Sequence, residues 1–432
     1  MQQIEFSKEF EQAFDLMEKT DEHVFLTGRA GTGKSTLLQY FRQKTKKKVV
    51  ALAPTGVAAI NVKGQTIHSF FGFPPHPISS DHIRKRKDRK LFEELDTIII
   101  DEISMVRADM LDAINYFMRI NGKYRSRPFG GAQMIFIGDL FQLPPVVSND
   151  VEKRLFEFMY ETPFFYSSQV LYNVDVKYIE LKKVYRQKDG HFLGLLDQIR
   201  TKNLDYFTLR NLNERYKPYF TPPKDGKFIT LTATNAIASR INEVELEKLP
   251  DKKIVFQGSI EGKFENRRLP NDVVLSFKKD AQVMFLRNDP YHRWVNGTIG
   301  TIQYLDGDTI SVKVETEKGD IVHTVKKEKW ELLKYVYNEE KKAIDTEVLG
   351  SFEQYPLKLA WAITIHKSQG KTFDHVFIDM GRRGAFAPGQ VYVALSRCTT
   401  LEGIVLKKPL KYNDIIVDQR VLAFAAEAGI YR

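Results

Sequence analysis

Gly28-Arg29-Ala30-Gly31-Thr32-Gly33-Lys34-Ser35 carries glycines, a lysine and a hydroxyl at the spacing that encloses a phosphate. It follows VFLTG at 24–28, a strand-like run, and opens KSTLLQYFRQK at 34–44, where Leu37, Leu38 and Phe41 recur at helical spacing. Glycines let backbone N–H groups turn inward onto phosphate oxygens, and the helix adds the positive end of its dipole. Lys34 then reaches the β- and γ-phosphates, and the Ser35 hydroxyl binds Mg²⁺. Gly28, Gly31, Thr32, Gly33 and Thr36 complete the nucleotide-contacting set. Ile98-Ile99-Ile100-Asp101-Glu102 supplies the second half: Asp101 for the Mg²⁺ shell, Glu102 to polarise a water. Two carboxylates are needed because one bound to a metal is a poor base. Gly138-Asp139-Leu140-Phe141-Gln142 also follows a buried run, and the Gln142 amide suits a hydrogen bond to the γ-phosphate and the water. A proline-stiffened turn capped by Asp139 is the alternative for that segment. Together these groups point to hydrolysis of a nucleoside triphosphate.

The elements that must position them are α/β. VVALAP at 49–54, TIIID at 97–101 and QMIFIGD at 133–139 are buried-type strands, and ADMLDAINYFMRI at 108–120 is helical. Non-alternating strands between helices imply a parallel sheet covered on both faces. Residues 64–82, rich in Phe, Pro and Gly, fit no period and read as a small inserted lobe or a long loop. RKRKDRK at 84–90 reads first as a solvated face, with a localisation patch or a polyanion-facing stripe as alternatives. From 281 to 350 the runs become short, β-branched and alternating, split by NG, DG and KG turns, as in a small antiparallel barrel. LKLAWAITI at 357–365 and HVFIDM at 375–380 return to parallel-type strands, so the barrel is an insertion in a second α/β domain.

Composition narrows the class. The 432 residues are 43% hydrophobic and 28% charged, enough to bury cores. Lys plus Arg exceeds Asp plus Glu by 65 to 55, a net +10 that suits a polyanion partner. The single cysteine, Cys398, excludes a disulfide framework and a multi-cysteine zinc site, and it reads as a packed side chain. The start, MQQIEFSKEF, does not read as a signal peptide, and the longest charge-free apolar stretch, Val49 to Val62, is too short to span a bilayer.

The ordered set of motifs resembles a superfamily-one, group B DNA helicase of the petite integration frequency (PIF) family, close to RecD-like enzymes. It runs through the phosphate loop, APTGVAA at 53–59, GQTIHSFFG at 64–72, DEISMV at 101–106 and GDLFQLPPV at 138–146. It continues with VYRQ at 184–187, TATN at 232–235, WVNGTIG at 294–300, ITIHKSQGKTFD at 363–374 and VYVALSRC at 391–398. The resemblance implies two RecA-like domains, at 1–63 with 84–174 and at 175–280 with 351–432. A wedge-like insertion at 64–83 and an SH3-like β-barrel insertion at 281–350 complete it. It implies arginine fingers at Arg186 and Arg397, an adenine contact at Gln12 and a nucleotide contact at Gly370. Arg186 and Arg397 would act with Lys34, Glu102 and Gln142 in catalysis.

The same resemblance implies a DNA track: Thr55, Gly56, Val57, Thr66 and His68 from the first domain, Thr234, Asn235, Thr364, His366, Lys367 and Ser368 from the second. Read alone, Thr234 and Asn235 also fit a helix cap and His366 a core histidine. Phe70, Phe71 and Phe73 fit a wedge or a mini-core. The implied function is 5′-to-3′ ATP-dependent translocation on single-stranded DNA, with unwinding of duplexes and G-quadruplexes. Roles in DNA repair, recombination and telomere maintenance go with it. The alternative is a single-stranded-DNA-dependent ATPase that remodels nucleoprotein without unwinding. ATP and Mg²⁺ are the cofactors, and single strands, single-strand/duplex junctions and G-quadruplexes the partners. A monomer, at the nucleoid of a bacterial cytoplasm and away from membranes, completes the expectation.

Overall fold

A computed structural model describes residues 7–74, 78, 81, 83–147, 150–187, 189–223, 228–264, 269–316 and 319–430. The chain forms two units. Unit 1 comprises Met1–Tyr185, Leu333–Val348 and Asp418–Arg432, and unit 2 comprises Arg186–Leu332 and Leu349–Val417.

Unit 1 is built on six parallel strands: β1 His23–Gly28, β2 Val49–Ala53, β3 Gln65–Thr66, β4 Thr97–Ile100, β5 Gln133–Ile137 and β6 Val176–Leu181. Their order is β3-β2-β4-β5-β1-β6. VVALA, TIII and QMIFI are buried along almost their whole length, as strands covered on both faces must be. One face is covered by α1, Lys8–Lys19, and α2, Lys34–Lys44. Phe10, Ala13 and Met17 from α1 meet Leu37, Leu38 and Phe41 from α2 over Ile99, Ile135 and Ile137. Phe165 packs edge-on against Phe25 and tilted against Phe136.

Two expectations shift. The boundary at 174/175 is displaced, because β6 pairs with β1 from His23↔Val176 to Gly28↔Leu181 and buries Ile179 and Leu181 in the first core. The three phenylalanines of the inserted segment pack on one another, Phe70 on Phe71 and Phe71 on Phe73, but not as a separate core. Phe71 and Phe73 pack on Phe117, and Phe70 on Phe92 and Tyr335. All three are buried, so the described part of the insertion is anchored in the core of unit 1. Residues 75–77, 79–80 and 82 lie outside the described residues. The basic run is largely exposed, as its solvated reading requires, although Arg86 donates to Phe71 O at 2.7 Å and stacks over Phe117.

Unit 2 holds a four-stranded parallel sheet, ordered Ala362–Thr364, Phe228–Thr232, His375–Asp379, Ile404–Leu406. Beside it in the chain is a five-stranded antiparallel sheet: Gly319–Val325, Ile310–Thr316, Ile299–Leu305, Gln282–Phe285, Leu357–Leu359. Val283, Phe285, Ile302, Ile310, Val312 and Leu357 form its core. The run LKLAWAITI is therefore not one strand. Leu357–Leu359 pairs antiparallel with Gln282–Phe285, and Ala362–Thr364 pairs parallel with Phe228–Thr232. A uniformly apolar run carries no mark of where it changes sheets. The insertion also departs from 281–350: its sheet takes Leu357–Leu359, while Leu333–Val348 belongs with unit 1. There Tyr335 is buried, accepts from Ala51 N–H at its hydroxyl and donates its own N–H to Gln65 Oε1. Among the described residues no helix is long and apolar enough to cross a membrane.

The β1–β5 pair contains a titratable contact. His23 Nδ1 accepts from Met134 N–H at 2.9 Å, with its ring edge-on to Phe129, and burial pushes its pKa down to about 4. Only the neutral imidazole can accept there. Its contribution is complete above about pH 6.5, the unfolded value, and is lost as pH falls towards the folded value. The loss amounts to roughly 3 kcal/mol at most. Urea midpoints at pH 7 and pH 4.5 test this: His23→Asn, which keeps an acceptor that does not titrate, should lose distinctly less stability in acid than the parent. Equal losses would remove His23 as the cause.

Candidate functional site

The phosphate loop turns directly out of β1. Gly28 has φ +145°, and a Cβ there would lie 2.6 Å from Leu181 O and 2.8 Å from Thr32 Oγ1. Gly33, at φ +89°, is the N-cap of α2. A side chain at either position would deform the curve that aims the backbone N–H groups. The Thr32 hydroxyl closes the loop onto Arg29 O at 3.0 Å. Lys34 Nζ donates to Gly28 O at 2.6 Å and Arg29 O at 2.9 Å, so the ammonium lies inside the loop. Ser35 and Thr36, on the first turn of α2, are exposed.

β4 delivers Asp101 and Glu102 beside that loop. Asp101 N–H donates to Leu52 O at 2.9 Å, which continues the β2–β4 register past the strand end. Glu102 takes φ +51°, ψ +43°, left-handed backbone that disfavours a side chain. Burial and the neighbouring Glu102 charge push the Asp101 carboxyl above its usual range, against the pull of the Lys34 ammonium. A buried carboxylate short of positive charge suits a divalent cation. The donors are all oxygens, Ser35 Oγ and the Asp101 carboxylate, and hard oxygen donors suit Mg²⁺. Among the described residues no group of three or more His, Cys, Asp or Glu side chains is placed to hold a metal ion. That fits an ion held in part by phosphates and water.

β5 ends at Gly138, whose N–H donates to Leu26 O at 3.2 Å. A Cβ on Gly138 would stand 3.0 Å from Ile103 Cγ2, so glycine lets β5 run close to the segment after Glu102. Asp139, 1% exposed, accepts from Phe141 N–H at 3.2 Å and from Gln142 Nε2 at 3.3 Å. Gln142 is thus buried and oriented by Asp139. Unit 1 also places a residue that the motif reading passed over. Tyr185 N–H donates to Gly31 O at 2.9 Å, and its half-exposed ring lies within 4 Å of a Cβ built on Gly33. The signal was present in VYRQ, where the arginine drew the attention. Gln12 lies on the exposed face of α1.

The remaining first-unit candidates sit at strand ends. Thr55 caps the helix Gly56–Asn61 by accepting from Ala58 N–H, with Val57 exposed. Thr66 caps Ile67–Phe71 by accepting from Ser69 N–H, and His68 is half-buried on that turn.

In unit 2, Thr234 caps Asn235–Glu247, and both Thr234 and Asn235 are exposed. Thr364 is buried and accepts from Lys367 N–H, while Ser368 is fully buried and donates to Ile365 O at 2.7 Å. His366 and Lys367 are the members of that loop with exposed side chains; Gly370 follows at φ +75°. The two arginines do different things. Arg186 is largely enclosed and donates to Ser396 O at 3.1 Å. Arg397 is 1% exposed and donates to Val393 O at 2.9 Å and Ser396 Oγ at 2.8 Å. Cys398 is buried, donates to Asp374 O, and has its thiol pushed up to about 11 by burial. A thiol in that state packs rather than reacts.

The geometry separates binding from hydrolysis. Glu102→Gln keeps the backbone and the loop but removes a base, so nucleotide binding should stay within about twofold while turnover falls about 100-fold or more. Fluorescent-nucleotide titration beside steady-state hydrolysis checks both; unchanged turnover would remove Glu102 from the chemistry.

Residues 4–208 match the model for PIF1-like helicase, and residues 359–405 match UvrD-like helicase C-terminal domain. The ATP-dependent DNA helicase Pif1 of Bdellovibrio bacteriovorus is 33% identical over 98% of this chain and 92% of its own length. The human ATP-dependent DNA helicase PIF1 is 32% identical over 93% of this chain, which spans 61% of that protein. Pif1 from Bacteroides sp in complex with ADP-AlF4 superposes with a TM-score of 0.89 at 34% identity, over 99% of this chain and 98% of that one. The same Bacteroides enzyme is known bound to ssDNA. With the phosphate loop, the Asp101–Glu102 pair and Gln142 standing at adjacent strand ends, this chain belongs to the PIF1-like helicase family.

Proposed function

We propose that this chain is an ATP-dependent DNA helicase that translocates 5′-to-3′ on single-stranded DNA and unwinds duplexes and G-quadruplexes. The observation that carries the reading is the convergence of Lys34, Asp101, Glu102 and Gln142 at the ends of β1, β4 and β5. A silent nucleotide-binding module has no need of a base, a buried amide and a carboxylate short of charge in one place.

In this reading the phosphate loop and the α2 N-terminus bind the triphosphate. Lys34 exchanges its loop carbonyls for phosphate oxygens. Ser35 and Asp101 hold Mg²⁺, which supplies positive charge to those oxygens. Glu102 accepts the proton of the attacking water, and Gln142, aimed by Asp139, orients that water against the γ-phosphate. Gln12 contacts the adenine, and the Tyr185 ring beside Gly33 offers it an aromatic face. Arg186 supplies guanidinium charge to the transition state, and Arg397 acts with it as a positioning residue that holds Ser396. Thr55, Gly56, Val57, Thr66, His68, Thr234, Asn235, His366 and Lys367 offer N–H, hydroxyl and charged groups to a DNA backbone. Thr364 and Ser368 support that loop from inside. The net charge of +10 favours such a partner.

The alternative, a translocase that remodels nucleoprotein without strand separation, has support in one feature. Phe70, Phe71 and Phe73 serve the core, so none of them is a free wedge.

Strand separation on two matched partial duplexes, one with a 5′ and one with a 3′ single-stranded tail, decides between them. Unwinding of the 5′-tailed substrate alone, lost in Lys34→Ala, is expected. Failure on both tails with DNA-stimulated hydrolysis intact would favour the translocase. Binding to single strands should weaken with salt, log K falling about 0.7 per log unit for each phosphate neutralised. A flat response would count against the DNA track.

A further inference from the structure

The loop between the antiparallel strands of unit 2, Leu286 to Thr298, is stiff for an exposed segment. Asp289, 3% exposed, accepts from Tyr291 N–H at 2.8 Å, and from Arg293 N–H, Nε and Nη2 at 3.1, 3.0 and 2.6 Å. The Arg293 guanidinium lies over Trp294, which stacks on Phe285. Asn296 N–H donates to Asn288 Oδ1 at 2.7 Å, and Gly297 N–H to Phe285 O at 2.8 Å. These bonds hold the backbone at Asn296 and Gly297.

The side chain of Asn296 meets Lys371, whose Nζ donates to Asn296 Oδ1. The lysine stem passes Gly297, where a Cβ at φ +102° would lie 3.4 Å from Lys371 Cβ. Lys371 belongs to the loop that begins at His366. Its N–H donates to Ser368 O at 3.0 Å. Arg397 Nη1 reaches the carbonyls of Lys371 at 3.4 Å and Ser368 at 3.5 Å, long contacts that its bonds to Val393 O and Ser396 Oγ hold in place. Phe373 N–H donates to Arg397 O at 2.9 Å. On the other side of the same short segment, Ser396 O accepts from Arg186 Nη1 at 3.1 Å and Gln187 Nε2 at 3.2 Å, and Cys398 O accepts from Gln187 Nε2 at 2.9 Å. The bonds thus run without a gap from Asn296 through Lys371, Arg397 and Ser396 to Arg186, all inside unit 2.

We propose that Lys371 is a positioning residue, which ties the Asn296 loop to the Ser396–Cys398 backbone and so sets the placement of Arg186 when DNA engages unit 2. The proposal rests on the reading of Arg186 as a charge donor to ATP hydrolysis and of His366 and Lys367, in the loop that carries Lys371, as part of the DNA track. Its physical basis is that a lysine grips through one point contact, while Arg397 turns that contact into a fixed backbone path. The charges around the ammonium are few. Arg397 bonds its backbone carbonyl, Arg293 is occupied by Asp289, and Asp374 accepts from Thr399 Oγ1 through its carboxylate. With no carboxylate to offset it among the described residues, burial pushes the Lys371 pKa down to about 8. The strong, charged form of the donor is therefore lost as pH rises through that value.

The experiment is steady-state ATP hydrolysis with and without a single-stranded oligothymidylate, from pH 7 to pH 9.5. Lys371→Met, Lys371→Arg, Asn296→Ala, the Lys371→Met/Asn296→Ala double variant and Arg186→Ala are compared with the parent. Lys371→Met and Asn296→Ala should each lower the DNA-stimulated kcat about tenfold with the ATP KM unchanged, and the double variant should lose no more than either single. The parent's stimulated kcat should fall above about pH 8, and Lys371→Arg, which stays charged, should hold its rate there. Stimulated kcat within twofold of the parent in both single variants, or losses that multiply in the double, would overturn the proposal. So would a Lys371→Arg profile identical to the parent's. If Lys371→Met unfolds, Asn296→Ala and the Lys371→Arg profile decide. Should Arg186→Ala retain full hydrolysis, the Arg186 reading fails, and with it the end point of the path. A tenfold loss in Asn296→Ala would then show coupling that ends on another group.

Discussion

Parallel hydrogen bonding in the first sheet brings the C-terminal ends of its strands to one edge, and the chemistry of unit 1 depends on that alignment. Val24–Leu26 pairs with Ile135–Ile137, and Thr97–Ile100 with Gln133–Phe136. The pairing leaves Gly28 as the last residue of β1, and Asp101 and Gly138 as the first residues after β4 and β5. A slip of one residue in any strand would exchange the side chains between the two packed layers and misfit both. The register is therefore set by the core, and the site inherits it. The bonds Asp101 N–H to Leu52 O and Gly138 N–H to Leu26 O carry the register one step beyond the strands.

The polar groups at that edge are held at some energetic cost. Glu102 sits in left-handed backbone, the Asp101 carboxyl is buried next to another carboxylate, and Gln142 is enclosed with Asp139. Backbone strain and buried polar groups of this kind gather at functional sites. The hydrophobic layers supply the offset. Phe10 and Met17 come from α1, and Leu37 and Phe41 from α2, the helix that follows the phosphate loop.

Unit 2 meets the same problem with guanidinium groups instead of carboxylates. Arg397 is fully buried without a carboxylate among its hydrogen-bond partners given above; carbonyl oxygens and a serine hydroxyl accept from it. Those carbonyls belong to the segments around Ser368, Lys371 and Val393 that Arg397 thereby joins. Arg186 and Gln187 grip the same short stretch of backbone from the other side. The segment Ser396–Cys398 is shaped by side chains more than by regular secondary structure.

Much of this was legible in the residues alone. The phosphate loop, the Asp101–Glu102 pair and the parallel sheet are local signals, because glycine conformation, strand burial and helix periodicity act over a few residues. The placement of β6, the division of 357–365 between two sheets and the role of Phe70, Phe71 and Phe73 were not. An apolar side chain records that it will be buried, and not against what. The same holds for hydroxyls and cations. Thr364 and Ser368 look like Thr55 in the sequence, yet two are buried inside a loop and one caps an exposed helix. Arg397 and Arg186 differ in their partners and not in their chemistry. Residue type and spacing determined which groups this protein has for binding and hydrolysing a nucleotide. Only the tertiary structure decided which of them are presented and which are spent on the fold, because burial and hydrogen-bond partners come from residues distant in the chain.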